Sequence, residues 1–442
     1  MRIRRILTAT VAAGLAVGAL SGCSSGDTPE EGADGATKLD MWVFAELHGQ
    51  VYEEMAEKWN EKNPDKAIDL DITVYPYQDM HDKLLLAVNS GEGLPDLADI
   101  EVGKFGNFVK GDNPPLYDLT EAAEPYVDDI VQARLDLYSR NDKIYGYPTH
   151  VGAFVAFYNT ELLEGAGIDY TTIKTWDDFS AAGSAYNEAT GKAFSVASTG
   201  VFFTEPLAIA QNGGQLFDDD GMGDVAVNSP EVVETMEMFQ EMKDAGALST
   251  IPGGSPDDEE AYGAINDGDF AAIVYPAWYT SRFVDYMPDL AGKIAIAPAP
   301  QIEGSDTLTI GGGGTGTTVL RGTEHEELAA EFLAYAKLSL EANVAVWEVL
   351  GFDPVNMSVW EDEKVTHNPE NKFNKYFQTN LFDVLNSVKD GIGHFESFSN
   401  PNLPQVDNQF RTITLNEIYE SGTPAKDALD QAQSDLENEL GQ

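Results

Sequence analysis

KLDMWVFAELHGQVYEEMAEKWNEKNPDKAIDLDITVYPYQDMHDKLLLAVNSGEGLPDLADI, residues 38–100, decides the fold class. Lys38–Phe44 reads as a strand, and the segment after it repeats Val51, Met55 and Trp59 every four residues, one apolar stripe along a helix. Ile68–Val74 is a second strand, and Met80, Leu84 and Val88 mark a second helix. Gly91, Gly93 and Pro95 break the chain before a third strand, Asp96–Ile100. A βαβαβ rhythm of this kind predicts an α/β fold with a mostly parallel, doubly wound sheet.

Downstream, Ala153–Tyr158, Ala193–Thr199, Ala271–Tyr275, Ile294–Ala297 and Thr315–Leu320 read as further strands. Thr175 followed by Asp177 and Asp178 predicts a capped helix, and Thr323 with Glu326 a capping box. Trp59, Trp176 and Trp347 lie on helical stripes or at a cap and read as core.

Upstream, Arg2, Arg4 and Arg5 precede an uncharged apolar run, Ile6–Leu20, which is shorter than the roughly 20 residues that span a bilayer. It ends in small residues, as an export signal does, so residues 1–22 are expected to be removed. Leu20-Ser21-Gly22-Cys23 resembles the bacterial lipoprotein box, which implies that Cys23 carries lipid. Cys23 is the single cysteine, which excludes intramolecular disulfides. Residues 23–37, small, polar and acidic, read as a flexible tether.

The chain carries 75 Asp and Glu against 26 Lys and Arg, a formal charge of −49. That excess argues against nucleic acid, whose phosphates need clustered cations, and against docking of the folded part on an anionic membrane. The six histidines are scattered without metal-ligand spacing, and Asp218–Asp224 lacks the twelve-residue order of a calcium loop. Gly311–Gly314 has no Gly-Lys-Ser/Thr ending, so it is no nucleotide loop. No cofactor and no metal are expected.

In open α/β sheets ligands sit beyond the carboxyl ends of strands. That rule selects Glu46 and His48, then Glu101, His150, Phe202 with Phe203, Trp278, Tyr279 and Arg282, and finally Gly312 and Gly313 in the glycine run. Aromatic faces stack on the C–H faces of a sugar, and carboxylates accept hydrogen bonds from adjacent hydroxyls. Arg282 is expected either at a ligand hydroxyl or paired with Asp285.

Several segments carry a family resemblance. They are MWVFAELHGQVYEEMAEKWNEKN from Met41, TVYPYQDMHDKLLLAVNSGEGLPDLADIEVGKF from Thr73 and YGYPTHVGAFVAFYNTELLEGAGID from Tyr145. KTWDDF from Lys174, GDFAAIVYPAWYTSRFVDYMPDLAGKIAIAPAP from Gly268, GGGGTGTTV from Gly311 and LGFDPVNMSVWED from Leu350 complete them. Together the chain resembles the family 1 extracellular solute-binding lipoproteins of bacterial ABC sugar importers, most of all the arabinose and arabino-oligosaccharide binders.

The resemblance implies a two-lobed periplasmic-binding-protein-like fold of type II, with hinge strands and a ligand cleft between the lobes. Lobe 1 would hold residues 38–148 and 308–352, lobe 2 residues 149–307 and 353–442. Crossings are expected near Pro148–Gly152, Leu308–Gly312 and Gly351–Val355. It also implies an aromatic platform at Trp278 and Tyr279 and stacking positions at Phe202 and Phe410. The function implied is binding, without catalysis, of a pentose or pentose oligosaccharide at the outer face of the cell membrane. The protein would act as a lipid-anchored monomer that delivers the sugar to permease subunits. A hexose oligosaccharide or charged solute on the same fold, or a surface glycosidase using two carboxylates, are the alternatives.

Overall fold

The computed structural model describes residues 35–111 and 113–442. Strand β1 (Thr37–Val43) pairs in parallel with β2 (Ile68–Val74) along its whole length, Thr37 opposite Ile68 and Val43 opposite Val74. Helix α1 (Glu46–Lys62) makes the crossover and buries Val51, Met55 and Trp59. Helix α2 (Tyr77–Ser90) buries Met80, Leu84 and Ala87 and stops at Gly91, whose φ of 72° is a left-handed cap that favours glycine. Strand β3 (Leu97–Glu101) then joins the other edge of β1. Four-residue helix α3 (Val102–Phe105) follows at once.

The later strands of the two larger sheets are β4 (Tyr147–Pro148), β5 (Phe154–Asn159), β6 (Ala272–Pro276), β7 (Ile294–Pro298) and β8 (Thr315–Val319). The larger sheet runs β2-β1-β3-β8-β4, and a second sheet runs β6-β5-β7. The expectation of a mostly parallel sheet holds only for β1 to β3. Strand β8 is antiparallel to β3 and to β4, and β5 is antiparallel to both of its neighbours. The reason is topological: β8 is a returning segment that enters the first sheet from a crossing, not from a helical βα unit.

Strand β5 is buried at every position. Val155 and Phe157 face the core shared with β1 and α1, while Phe154, Ala156 and Tyr158 face the core built by residues 163–248 and 395–436. Both faces are covered, which explains an unbroken apolar run in place of alternation. Trp59, Trp176 and Trp347 are all buried in these cores, as expected. Thr175 caps helix α4 (Trp176–Thr190) in a capping box with Asp178. The second expected box is absent: helix α5 (Glu326–Leu338) starts at Glu326 itself, whose Oε1 accepts Gly322 N–H at 2.6 Å.

Three crossing segments lie side by side. Val151 N–H donates to Asp353 O at 2.9 Å, and Gly312 N–H to Gly152 O at 2.8 Å. The Asp353 carboxylate accepts Gly152 N–H at 3.0 Å and Ala153 N–H at 2.8 Å. Burial pushes this carboxyl up to about 7 despite those bonds. Gly152 has φ 67°, and a Cβ there would stand 2.5 Å from Gly312 O, so close strand approach requires glycine. Buried Arg134 donates to the carbonyls of His150 and Gly313 and ties the first two crossings together.

Candidate functional site

The strand ends and crossings surround a cavity of about 560 Å³, within the range of small-molecule sites. Its wall includes His48 from the first turn of α1, Glu101 at the end of β3, and His150 on the first crossing. Phe202, Phe203, Trp278, Arg282, Gly312 and Gly313 complete the part anticipated from sequence.

Three of the expected residues stand elsewhere. Glu46 is exposed at the start of α1 and is not part of the wall, because the helix turns it away from the side that carries His48. Tyr279 is fully buried and donates its hydroxyl to Pro256 O at 2.6 Å, so it holds a loop behind the wall. Phe410 is also fully buried and stacks beneath Phe202, with ring centroids 4.1 Å apart. It backs a wall residue without reaching the cavity.

The aromatic side is built around Trp278. Its indole N–H donates to Gly312 O at 3.0 Å, and its ring meets Tyr275 at 5.3 Å and Phe203 at 6.1 Å, both edge to face. A Cβ on Gly312 would stand 2.5 Å from Phe154 and 2.7 Å from Pro276, so the glycine run packs directly on the second sheet. Gly313 has φ 66°, open to glycine at no steric cost. Arg282 lies over the Trp278 ring at 5.3 Å. Its partner is Asp257, through Nε–Oδ1 at 2.6 Å and Nη2–Oδ2 at 3.2 Å, and not Asp285, which faces Lys372 at 3.9 Å. The fork geometry of this pair takes the Nε–Nη2 edge of the guanidinium and offsets its charge.

The polar side presents two histidines in different states of engagement. His48 Nδ1 is 3.0 Å from Asp99 Oδ2. His150 is buried and neither ring nitrogen has a hydrogen-bond partner among the described residues. Burial, then the charge of Arg134, pushes His150 well below the usual imidazole range. The ring is therefore neutral and offers one donor and one acceptor, the pattern of a sugar hydroxyl. Glu101 caps α3, accepting Gly103 N–H at 2.8 Å and the Tyr77 hydroxyl at 3.1 Å. Burial and the neighbouring Asp407 raise its carboxyl to about 7.

Sequence reasoning missed Tyr77, Thr149, Asp257, Thr315, Phe352, Asp407 and Arg411, all in the wall. Tyr77 follows β2, so the strand-end rule applied to that strand would have found it. Asp257 and Asp407 come from a loop and a late helix, α6 (Leu403–Gln409), and carry no local signal. The Asp218–Asp224 segment closes on itself, Asp218 Oδ1 accepting Asp224 N–H at 2.7 Å. Among the described residues no cluster of three or more metal-ligating side chains occurs.

Two α/β bodies joined by three adjacent crossings, with an aromatic wall facing unpartnered polar groups, define a hinged receptor for a small polar solute. The sequence profile of the bacterial extracellular solute-binding proteins matches residues 45–338, and the chain belongs to that family. It is 40% identical to the arabinooligosaccharide-binding protein of Bacillus subtilis (strain 168), over 94% of this chain and 95% of that one. It is also 40% identical to the arabinooligosaccharide-binding protein of Halalkalibacterium halodurans, over 92% of this chain and 91% of the relative.

Among solved structures it is similar to the galacto-N-biose-/lacto-N-biose I-binding protein of the ABC transporter from Bifidobacterium longum. That match has a TM-score of 0.74 at 23% identity, covering 93% of this chain and 99% of the other. The family is one of extracellular solute-binding proteins and the two relatives are binding proteins, so the chain is a binding protein and not an enzyme. Among the described residues no helix is long and apolar enough to cross a membrane. The signal segment, Cys23 and the tether up to residue 34 lie outside the described residues.

Proposed function

We propose that this protein binds a pentose oligosaccharide of the arabino-oligosaccharide class in the cleft and hands it, unchanged, to an ABC permease. The observation that carries the proposal is His150: a neutral imidazole with two unpartnered nitrogens, buried at a crossing and facing a wall built on Trp278. Leaving a buried donor and acceptor empty is costly, and a ligand hydroxyl at either ring nitrogen relieves part of that cost. The 40% identity to two relatives named for arabinooligosaccharide binding supports the choice of sugar. A sugar acid is disfavoured because Asp257 occupies the Arg282 guanidinium.

In this reading His48, Glu101, His150, Phe202, Trp278, Arg282, Gly312 and Gly313 form the ligand wall. The lobes are residues 38–148 with 308–352, and 149–307 with 353–442, and they close by bending at the crossings. Cys23 carries the lipid anchor and the protein works as a monomer. Calorimetry with arabinotriose, xylotriose, maltotriose and arabinose tests the reading. Saturation by arabinotriose at one site per chain, with the sugar recovered intact, is expected. Saturation by maltotriose alone, or shortened sugar in the cell, overturns it.

A further inference from the structure

Beneath the cleft lies a buried polar chain, set behind the wall and threaded into the core at Tyr52. Lys337 of α5 is 4% exposed and Asp99 of β3 is fully buried. The Tyr52 hydroxyl bridges them, 3.2 Å from Lys337 Nζ and 2.7 Å from Asp99 Oδ1. Thr317 Oγ1 is also 2.7 Å from Asp99 Oδ1. Two branches leave this chain for the cleft. One runs from Asp99 Oδ2 to His48 Nδ1 at 3.0 Å, and the other from Lys337 Nζ to Thr149 Oγ1 and on to Thr315 Oγ1. His48, Thr149 and Thr315 line the cavity, whereas Lys337, Asp99, Tyr52 and Thr317 do not.

We propose that Lys337 and Asp99 are positioning residues that fix which wall groups donate and which accept hydrogen bonds toward the sugar. The proposal rests on the cleft being the sugar site. Its logic is proton inventory. An ammonium is donor-only, so Thr149 Oγ1 accepts from Lys337, and in this proposal Thr149 turns its own hydrogen to Thr315. Thr315 is left with its hydrogen free for the cleft. A carboxylate is acceptor-only, so Asp99 holds a His48 proton on Nδ1, and in the neutral ring Nε2 is then left as an acceptor. Hydroxyls and imidazoles otherwise choose their own polarity; here a donor and an acceptor are set in advance at separate points of the wall. Such preorganisation raises affinity for a hydroxyl pattern that matches and penalises one that does not.

Burying this pair is poor economy for stability alone, since apolar replacements of buried charges are often neutral or stabilising. A role in specificity gives the pair a use that stability does not. Burial pushes Asp99 up, but the His48 bond and the Lys337 charge more than offset that and hold it below the usual range. Burial lowers Lys337 to about 8, with Asp99 working in the opposite direction. The other titratable groups facing Lys337 are Tyr52, which is raised well above its usual value, and His48 and His150 across the floor of the cleft.

The test has two arms on the purified protein. Nitrogen-15 NMR of the ligand-free protein, with His48 assigned by His48→Gln, reads the tautomer without any sugar. Nδ1-protonated His48 is expected, and an Nε2-protonated ring overturns the proposal. Arabinotriose titrations at pH 7 to 9.5 form the second arm. Wild type is expected to weaken as pH rises through about 8, where Lys337 loses its proton. Lys337→Met is expected to bind at least tenfold more weakly at pH 7 with no such decline, and Lys337→Arg to recover affinity while losing the decline.

Wild-type affinity and profile in Lys337→Met overturn the proposal. If that variant does not fold, Asp99→Asn removes the obligate acceptor facing His48 Nδ1; an unchanged His48 tautomer and affinity there overturn it equally. Should wild type bind none of the sugars, the choice of ligand fails and the tautomer alone decides the positioning role.

Discussion

Replacing Trp278 separates two contributions that the structure combines. Trp278 is only 9% exposed. With a side-chain area on the order of 200 Å², the patch available to a ligand is about 20 Å². At roughly 25 cal/mol/Å² its burial by sugar is worth about 0.5 kcal/mol, or two- to threefold in affinity. The indole N–H that fixes Gly312 O at 3.0 Å adds a second effect. Its loss frees the glycine run beside the ligand, at a cost of about 1 kcal/mol for a net hydrogen bond. Trp278→Ala is therefore expected to weaken arabinotriose binding about tenfold, from a loss of about 1.5 kcal/mol. Trp278→Phe, which keeps a ring but has no N–H, is expected to lose about fivefold. Calorimetry at 20 °C, with circular dichroism to confirm folding, measures both. Wild-type affinity in a folded Trp278→Ala protein refutes the assignment. Equal affinity of Trp278→Phe and wild type refutes the part given to the Gly312 bond.

Further outcomes follow from the crossings and the buried charges. Glu101 has its carboxyl raised to about 7, so its protonated form is favoured by folding; that stability is complete below about 4.5 and is lost as pH rises through about 7. Glu101→Gln, which still accepts Gly103 N–H, is expected to flatten the change in Tm between pH 4.5 and 7.5 in scanning calorimetry; an unchanged slope contradicts the shift. Arg134→Met leaves the carbonyls of His150 and Gly313 without their buried donor, and about 2–5 kcal/mol of lost stability in urea unfolding is expected. A loss under about 0.5 kcal/mol would show that Arg134 does not hold the crossings. Gly312→Ala forces a Cβ against Phe154 and Pro276, and loss of sugar binding is expected in titrations even where the protein still folds.

The parts of this molecule legible in sequence are those where local pattern and tertiary role coincide. The stripe Val51, Met55, Trp59 is buried on α1, and β1 and β2 pair in full register, because both elements bury one face against the same core. The strand-end rule picked out His48, Glu101 and His150, which stand in the cavity wall because backbone direction alone delivers those side chains there. It overreached at Glu46 and Tyr279, where helical rotation by a residue or two decides between cavity, solvent and core. Phe410 came from resemblance alone and proved to support Phe202 from behind. The antiparallel return of β8 was illegible, since strand polarity depends on a crossing that closes some 200 residues after β3. Asp257 and Asp407 were silent for the same reason: the loop of one and the helix of the other reach the cleft only through the packing of the second sheet and the C-terminal helices. Lys337 could not be distinguished from a surface lysine near the end of an amphipathic helix until the structure placed it beneath the wall.

A crystal structure of the protein grown with arabinotriose tests the central proposal most directly. The expected result is sugar density in the cleft, with a hydroxyl within hydrogen-bond distance of a His150 ring nitrogen and a pentose ring against Trp278. Sugar bound outside the cleft, or a cleft left to solvent at saturating arabinotriose, contradicts it.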